Sequence, residues 1–346
     1  MADSTLWISE SDVVESVGLA DALEVLGRAF AAEGAGRVRP MDKTMATLPS
    51  GGTLHSLGAA FDDLVGVKSW AHTGGGADPA LLLIDARDGS IIAVIEAFAL
   101  GQLRTAATAG LATDRMAAQG PTGLGVIGTG KQALAQVAGV AAVRPIEEAR
   151  VFSPTREHRE AFATRVTDEL GVPCRAVDSV ADAVSGAGIV TLVTRATSPV
   201  LLEAMVEPGM HINAVGAIDL ARQEFEPMIL ERAGLVATDS VEQARRLSSE
   251  LRAWFEAAPR TWEGLHSLGE VVHDGLGRQN PEEITLFKGM GSGTEDVALG
   301  AEILERANKS GRGRVIQRSG RKPPRLRTDH ETNEDGGSPW QTKSPN

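Results

Sequence analysis

Residues 125–133 constrain this chain more than any other stretch. They read Gly125-Val126-Ile127-Gly128-Thr129-Gly130-Lys131-Gln132-Ala133, an apolar run that closes on a glycine turn and opens a helical pattern. In the spacing Gly128-x-Gly130-x-x-Ala133 the first glycine permits a tight turn and the second lets the backbone approach a phosphate. The small third residue lets helix pack on strand. A helix start also offers unpaired amides and a positive dipole to an anion. The stretch reads as a dinucleotide pyrophosphate site, with Gly128, Thr129, Gly130, Lys131, Gln132 and Ala133 as its contacts. In isolation such a turn is a weak signal, so the neighbouring segments decide.

From Leu124 onward the pattern alternates strand and helix, with strands expected at 124–128, 149–153, 173–177, 188–193, 210–215 and 234–238. That alternation predicts a parallel sheet with crossover helices, a Rossmann-type doubly wound α/β fold. Gly188–Val193 and Leu235–Thr238 are nearly continuous apolar runs, as a sheet covered on both faces requires. The stretches Thr194–Pro199 and Val215–Ala217 then follow strands at the carboxyl edge, where open α/β sheets bind ligands, so Thr194, Val215 and Gly216 are expected to face the cofactor.

Upstream the rhythm differs. Residues 12–33 show helical spacing, and 43–48, 53–57, 65–71, 80–84 and 91–96 are short β-rich segments punctuated by glycine turns. They predict a largely antiparallel sheet, followed by an Ala-rich helix over 98–118. Residues 297–308 read as a last helix. From Gly311 to Thr328 there are seven basic residues and no acidic ones, in a stretch too poor in apolar residues to offset its ordering entropy. Residues 311–346 are therefore expected to be a disordered tail.

The end of the second strand of the alternating region bears on the choice of dinucleotide. An NAD site usually places Asp or Glu there for the ribose hydroxyl, whereas this chain has Val151-Phe152-Ser153-Pro154-Thr155-Arg156. Ser153 and Thr155 can donate to a 2'-phosphate and Arg156 can pair with it. NADP is expected, with NAD possible. Arg156 is otherwise the exposed start of a surface helix.

The formal charge of −12 argues against nucleic acid or an anionic membrane as partner. No uncharged apolar run of about 18 residues offers a span, and the N-terminus lacks a secretory signal, so a cytoplasmic protein is expected. The one cysteine, Cys174, reads as a small buried residue, and the seven histidines form no metal-binding cluster. His72, beside the Gly74-Gly75-Gly76 loop, is a candidate pocket residue. His211 reads as a core histidine bonded to backbone.

With these parts placed, the chain resembles the ornithine cyclodeaminase and mu-crystallin family over roughly residues 10–308. Five islands carry the resemblance: Gly66-Val67-Lys68, Leu103 to Thr108, the glycine turn with Gln132-Ala133, Gly209 to Ala217, and Ile284 to Lys288 leading to Glu295-Asp296. The resemblance implies a discontinuous α+β substrate-binding and dimerisation domain, residues 1–118 with 295–310 returning to it. A Rossmann domain over 119–294 lies between its parts, and the assembly is a homodimer.

The resemblance also assigns roles. Lys68 and Arg104 match positions that hold the substrate carboxylate, and Lys68 could protonate the nascent amine if burial lowers its pKa. Without that match Lys68 would be a solvent-facing strand lysine and Arg104 a partner for Glu96. Lys43 stands nearest to where much of the family has arginine, and holds a carboxylate as a point charge, not a fork. Cyclodeaminases carry an activating aspartate just after the Val-Gly-Gly turn. Here Val215-Gly216-Ala217 is followed by Ile218, and the candidate catalytic Asp219 is displaced by one residue.

A hydride from nicotinamide needs an electrophilic C=N or C=O held in line, and fixed cations supply the grip on a neighbouring carboxylate. The expectation is an NAD(P)H-dependent reductase or dehydrogenase of a small α-imino or α-keto acid. The alternatives are a cyclodeaminase-type lyase and a non-catalytic NADPH-binding protein like the mu-crystallins.

Overall fold

The chain begins on a strand that its hydrophobic pattern does not announce. In the computed structural model, which describes residues 4–326 apart from 50, 258, 321 and 325, β1 (Ser4–Ile8) precedes α1 (Glu10–Ser16) and α2 (Leu19–Gly34). The single helix expected over 12–33 is thus two. Ser9 and Asp12 form a reciprocal capping box on α1, and the Gly18 amide donates to Asp21 Oδ2 at 2.8 Å to start α2.

Next come β2 (Arg39–Pro40), β3 (Thr44–Thr47), β4 (Thr53–Ala60), β5 (Leu64–His72), β6 (Ala80–Asp85), β7 (Ile91–Glu96) and α3 (Phe98–Met116). β2 to β7 pair antiparallel as expected, but β1 joins β7 in parallel, so this first sheet is mixed. The register puts Leu57 beside Lys68 and His55 beside Trp70, which share one face by the two-residue alternation of strands.

The second sheet follows from the alternating pattern: β8 (Thr122–Ile127), α4 (Ala133–Ala141), β9 (Ile146–Phe152), α5 (Arg156–Leu170), β10 (Cys174–Ala176), α6 (Val180–Val184), β11 (Ile189–Leu192) and β12 (His211–Ala214). It continues with α7 (Ile229–Arg232), β13 (Ala233–Thr238), α8 (Val241–Leu247), α9 (Ser249–Phe255), β14 (Leu265–Ser267), α10 (Leu268–His273) and β15 (Ile284–Lys288). The spatial order is β10-β9-β8-β11-β12-β15-β13-β14, parallel throughout. The chain winds one way from β8 to β10 and the other way from β11, so the topological switch lies between β8 and β11.

Last come α11 (Gly293–Ser310) and β16 (Arg314–Gln317). α11 packs across β4, β5 and β6 and against α2 and α3. Its first residue approaches the sheet so closely that a Cβ on Gly293 would overlap the Gly58 carbonyl. This contact sets the helix start over the row that carries Lys68. Within the stretch expected to be a disordered tail, Arg314–Gln317 instead form β16, which pairs antiparallel with β1 and completes that sheet edge. Backbone pairing with an open strand edge offsets an ordering cost that composition alone cannot. Residues 327–346 of that stretch lie outside the described residues. Among the described residues no helix is long and apolar enough to cross a membrane.

Candidate active site

The glycine turn behaves as its spacing requires. Gly128 takes φ +109°, a conformation that glycine adopts readily, and a Cβ there would meet the Val193 carbonyl at 2.6 Å. Its amide donates to Phe152 O at 2.9 Å, tying the turn to the end of β9. A Cβ on Gly130 would meet nothing within 4 Å, so this backbone lies open to an approaching phosphate. Gln132 is the N-cap of α4 and its buried amide oxygen has no hydrogen-bond partner, while Ala133 is fully buried against the sheet. Thr129 is half-buried and Lys131 exposed. An open backbone and a helix start, both of which offer amide donors, suit a dinucleotide phosphate.

At the end of β9, Ser153 is buried and its hydroxyl donates to Thr155 O at 3.3 Å. Thr155 is the N-cap of α5, with no side-chain cap bond. Arg156 is exposed and paired with Glu160 at 2.7 Å, a surface i,i+4 pair of little stabilising value that leaves the guanidinium easily redirected. The sequence reading passed over Arg159, which is buried behind this strand end, donates to Ser153 O at 3.1 Å and lies over the Phe152 ring. At the neighbouring edge, Thr194 and Gly216 face each other so closely that a Cβ on Gly216 would overlap the Thr194 backbone; Val215 just before is half-buried.

Lys68 and Arg104 meet, although they lie on different elements, β5 and α3. Lys68 is buried rather than solvent-facing, and its Nζ donates to Asp296 Oδ1 at 2.5 Å. Arg104 pairs with Glu295 Oε2 at 2.5 Å and with Asp296 Oδ1 at 3.3 Å, so Asp296 bridges the two cations. Glu96, the partner Arg104 would have as a purely structural residue, instead accepts from Trp7 Nε1 and the Glu10 amide. Burial depresses the Lys68 pKa, Asp296 opposes this and Arg104 adds to it, with the result at about 8. For Arg104 burial acts downward too, but Asp296 and Glu295 outweigh it and hold the guanidinium charged.

Carboxylates that the sequence reading did not assign complete the cluster. Asp239, at the end of β13, is buried and accepts the Met290 and Gly291 amides at 2.8 and 2.9 Å. Burial raises its pKa, and burial raises that of Glu295 well above the ordinary carboxylate value. Glu33, at the end of α2, accepts the Thr294 hydroxyl and is raised to about 7, first by burial and further by Asp239. The pairing of acids with cations in this cluster spans separations such as 191 and 228 residues, beyond any local pattern.

Lys43 is half-buried just before β3 and makes no ion pair within 4.0 Å among the described residues. Burial and Arg104 lower its pKa against the pull of Asp219, Asp239 and Asp296. Lys43 and Lys68 both lie over Trp70, 5.8 and 5.3 Å from its ring centroid, and His55 stacks on that ring at 4.9 Å. His72 is exposed at the outer end of β5, two residues beyond Trp70 on the same face. Asp219 folds onto its own loop, accepting the Ala221 amide at 3.0 Å and pairing with Arg222 at 3.2 Å.

His211 is fully buried as expected, but its partners are the Thr285 hydroxyl at 2.9 Å and the Asn213 amide oxygen at 3.2 Å rather than backbone. Burial takes its pKa down to about 3, so it is neutral. Cys174 is half-buried on β10, and burial pushes its thiol up to about 12.

A doubly wound sheet with a phosphate cradle, flanked by a buried lysine-arginine pair, defines a dinucleotide-dependent oxidoreductase. The chain belongs to the ornithine cyclodeaminase/mu-crystallin family, whose profile matches residues 6–311. It is 32% identical to a Delta(1)-pyrroline-2-carboxylate reductase of Bacillus cereus, over 68% of this chain and 73% of that protein. It is 33% identical to the ketimine reductase mu-crystallin of Mus musculus, over 65% and 68% of the respective chains. The Thermococcus litoralis Delta(1)-pyrroline-2-carboxylate reductase, solved with NADH and L-proline, superposes with a TM-score of 0.84 at 26% identity. That match covers 90% of this chain and 99% of the other.

Proposed function

We propose that the protein is an NADPH-dependent reductase of small α-imino acids, accepting the corresponding α-keto acid with an amine, and working as a cytoplasmic homodimer. In this reading residues 1–118 and 295–310 form the substrate and dimerisation part, and 119–294 the cofactor part. The observation that carries it is the cation cluster: Lys43, Lys68 and Arg104 converge around one site, Lys68 with a pKa of about 8. The relatives named for reduction of pyrroline-2-carboxylate and ketimines support the substrate class.

The dinucleotide supplies the hydride when bound. Lys43, which has no ion pair within 4.0 Å among the described residues, and the Arg104 guanidinium grip the substrate carboxylate and orient its C=N bond. Lys68 Nζ, an ammonium at neutral pH, gives its proton to the substrate nitrogen as the C–H bond forms, and Asp296 holds that Nζ in place. Trp70 forms one wall of the site and shields the reacting centre from water. Residues 151–156 carry no carboxylate of their own for a ribose hydroxyl, and Ser153, Thr155 and Arg156, once Arg156 turns from Glu160, can receive a 2'-phosphate, which supports NADP over NAD. A lyase of the cyclodeaminase kind needs a free aspartate to activate an amine, and the engagement of Asp219 with its own loop argues against it.

The test follows NADPH and NADH oxidation with pyrroline-2-carboxylate and with pyruvate or glyoxylate plus ammonia or methylamine, beside ammonia release from ornithine. Cofactor oxidation with an imino acid is expected, with NADPH preferred. Ammonia release without cofactor oxidation establishes the lyase instead, and cofactor binding without turnover establishes a binding protein.

A further inference from the structure

Glu224 lies outside every motif that the sequence displays, yet it is fully buried and its carboxylate takes four hydrogen bonds. Oε1 accepts from the Thr194 amide at 2.6 Å and the Thr194 hydroxyl at 2.9 Å. Oε2 accepts from the Gly216 amide at 2.7 Å and the Ala217 amide at 2.9 Å. Thr194 lies just past β11 and Gly216 just past β12, and these strands are parallel neighbours. One side chain therefore joins the carboxyl ends of both strands. The close approach of Gly216 to the Thr194 backbone leaves no room for a side chain at that position.

A buried carboxylate is tolerated when hydrogen bonds and counter-charge replace its water. Three of the four donors are backbone amides, so any rearrangement of either loop strips the charge of partners. Behind it, the Glu224 amide donates to Glu250 Oε1 at 3.0 Å, and Glu250 also accepts the Ser248 hydroxyl at 2.9 Å. Glu250 lies 3.5 Å from the Nζ of Lys288, and both side chains are fully buried. Lys288, the last residue of β15, is the counter-ion of Glu250. The brace thus runs from β11 across β12 to β15, along the edge where such sheets bind their ligands.

The switch point between β8 and β11 has the glycine turn on one side and Thr194 on the other. We infer that Glu224 is a positioning residue for the dinucleotide: by fixing Thr194 and Val215–Ala217 it builds the seat of the nicotinamide half. The glycine turn and residues 153–156 hold the adenosine half. This inference rests on the dinucleotide reading of the site. It makes the two halves of the cofactor separable in binding, because the Glu224 carboxylate hydrogen-bonds only to Thr194, Gly216 and Ala217 among the described residues, and the Thr194 methyl that faces Gly128 is retained in Thr194→Val.

The experiment titrates the full-length protein, as wild type, Glu224→Gln and Thr194→Val, with NADPH, NADH and the adenosine-end fragment 2',5'-ADP (ADP if NADH is preferred). Failure of the wild type to bind either dinucleotide refutes the cofactor reading itself. Given binding, Glu224→Gln is expected to weaken the preferred dinucleotide about tenfold or more while leaving the fragment unchanged. Thr194→Val, which loses the hydroxyl donor and keeps the amide, is expected to do the same to a smaller degree. It carries the test if Glu224→Gln does not fold. Retained fragment binding shows that the glycine-turn side is intact, which a general loss of structure would not allow. Equal weakening of dinucleotide and fragment, or unchanged dinucleotide affinity in the variants that fold, overturns the inference.

Discussion

The pH dependence of turnover isolates Lys68 from the rest of the cluster. Its pKa falls from 10.5 to about 8, so the buried site disfavours the ammonium by about 3 kcal/mol relative to water. In the proposed reaction, reduction consumes the Lys68 proton. At pH 7 about nine-tenths of the molecules carry it and at pH 9 about one-tenth, so kcat/KM for reduction should fall about tenfold between those pH values. The opposite direction needs the free amine, and its rate should rise through the same range. Asp296 is the main influence holding the value up; with it gone, burial and Arg104 act unopposed by that carboxylate. In Asp296→Asn the inflection should therefore move lower by about one pH unit or more. Lys68→Met should lose about a hundredfold to ten-thousandfold in kcat and lose the inflection. The assay is NADPH oxidation across a pH series with one imino acid, with cofactor binding measured separately. An inflection that stays in place in Asp296→Asn belongs to another group, the substrate nitrogen included, and would refute the assignment of Lys68 as proton donor.

Lys43→Ala should raise the KM for the imino acid about tenfold with a smaller effect on kcat, since a uniform binding contact is removed, while Lys43→Arg retains the grip. Equal KM values for the wild type and the alanine variant would place the substrate carboxylate elsewhere. Gly139→Ala should destabilise the fold by about 1–3 kcal/mol in chemical denaturation, because the added methyl overlaps the Ala106 carbonyl; a neutral result would mean that α3 and α4 separate at little cost.

The parallel sheet was legible because its signals are local. A glycine turn needs its residues within a few positions, and the buried strands at Ile189–Leu192 and Ala233–Thr238 declare themselves as apolar runs. Lys68 and Arg104 were found through the family's islands, not through any property of their strand and helix. What bound them was not legible: Glu295 and Asp296 sit in the first turn of a helix, where acids are favoured for the dipole alone. Their burial depends on α11 crossing β5, which no local pattern encodes. The same holds for β15, inserted between β12 and β13, and for β16, whose Val315-Ile316 pair is lost in a basic, polar stretch and which forms a strand because β1 offers it an edge. The split between α1 and α2 was missed because their apolar spacing continues across Val17–Gly18, and the break is made by capping side chains.

The contact between α3 and α4 also sets a length. Gly139 lies against the Ala106 carbonyl, and the Gly139 carbonyl lies against Gly110, so the two helix backbones touch with no side chain between them. Arg104 rides on the first helix and the glycine turn opens the second. The span from phosphate cradle to guanidinium is therefore gauged by backbone against backbone, a ruler that side-chain repacking cannot stretch. In the proposed site, change in substrate size has to be absorbed on the opposite wall, where His55 and Trp70 stand on strands and Lys43 just before one. On this scaffold a new specificity can arise there while the distance between cofactor phosphates and guanidinium stays fixed.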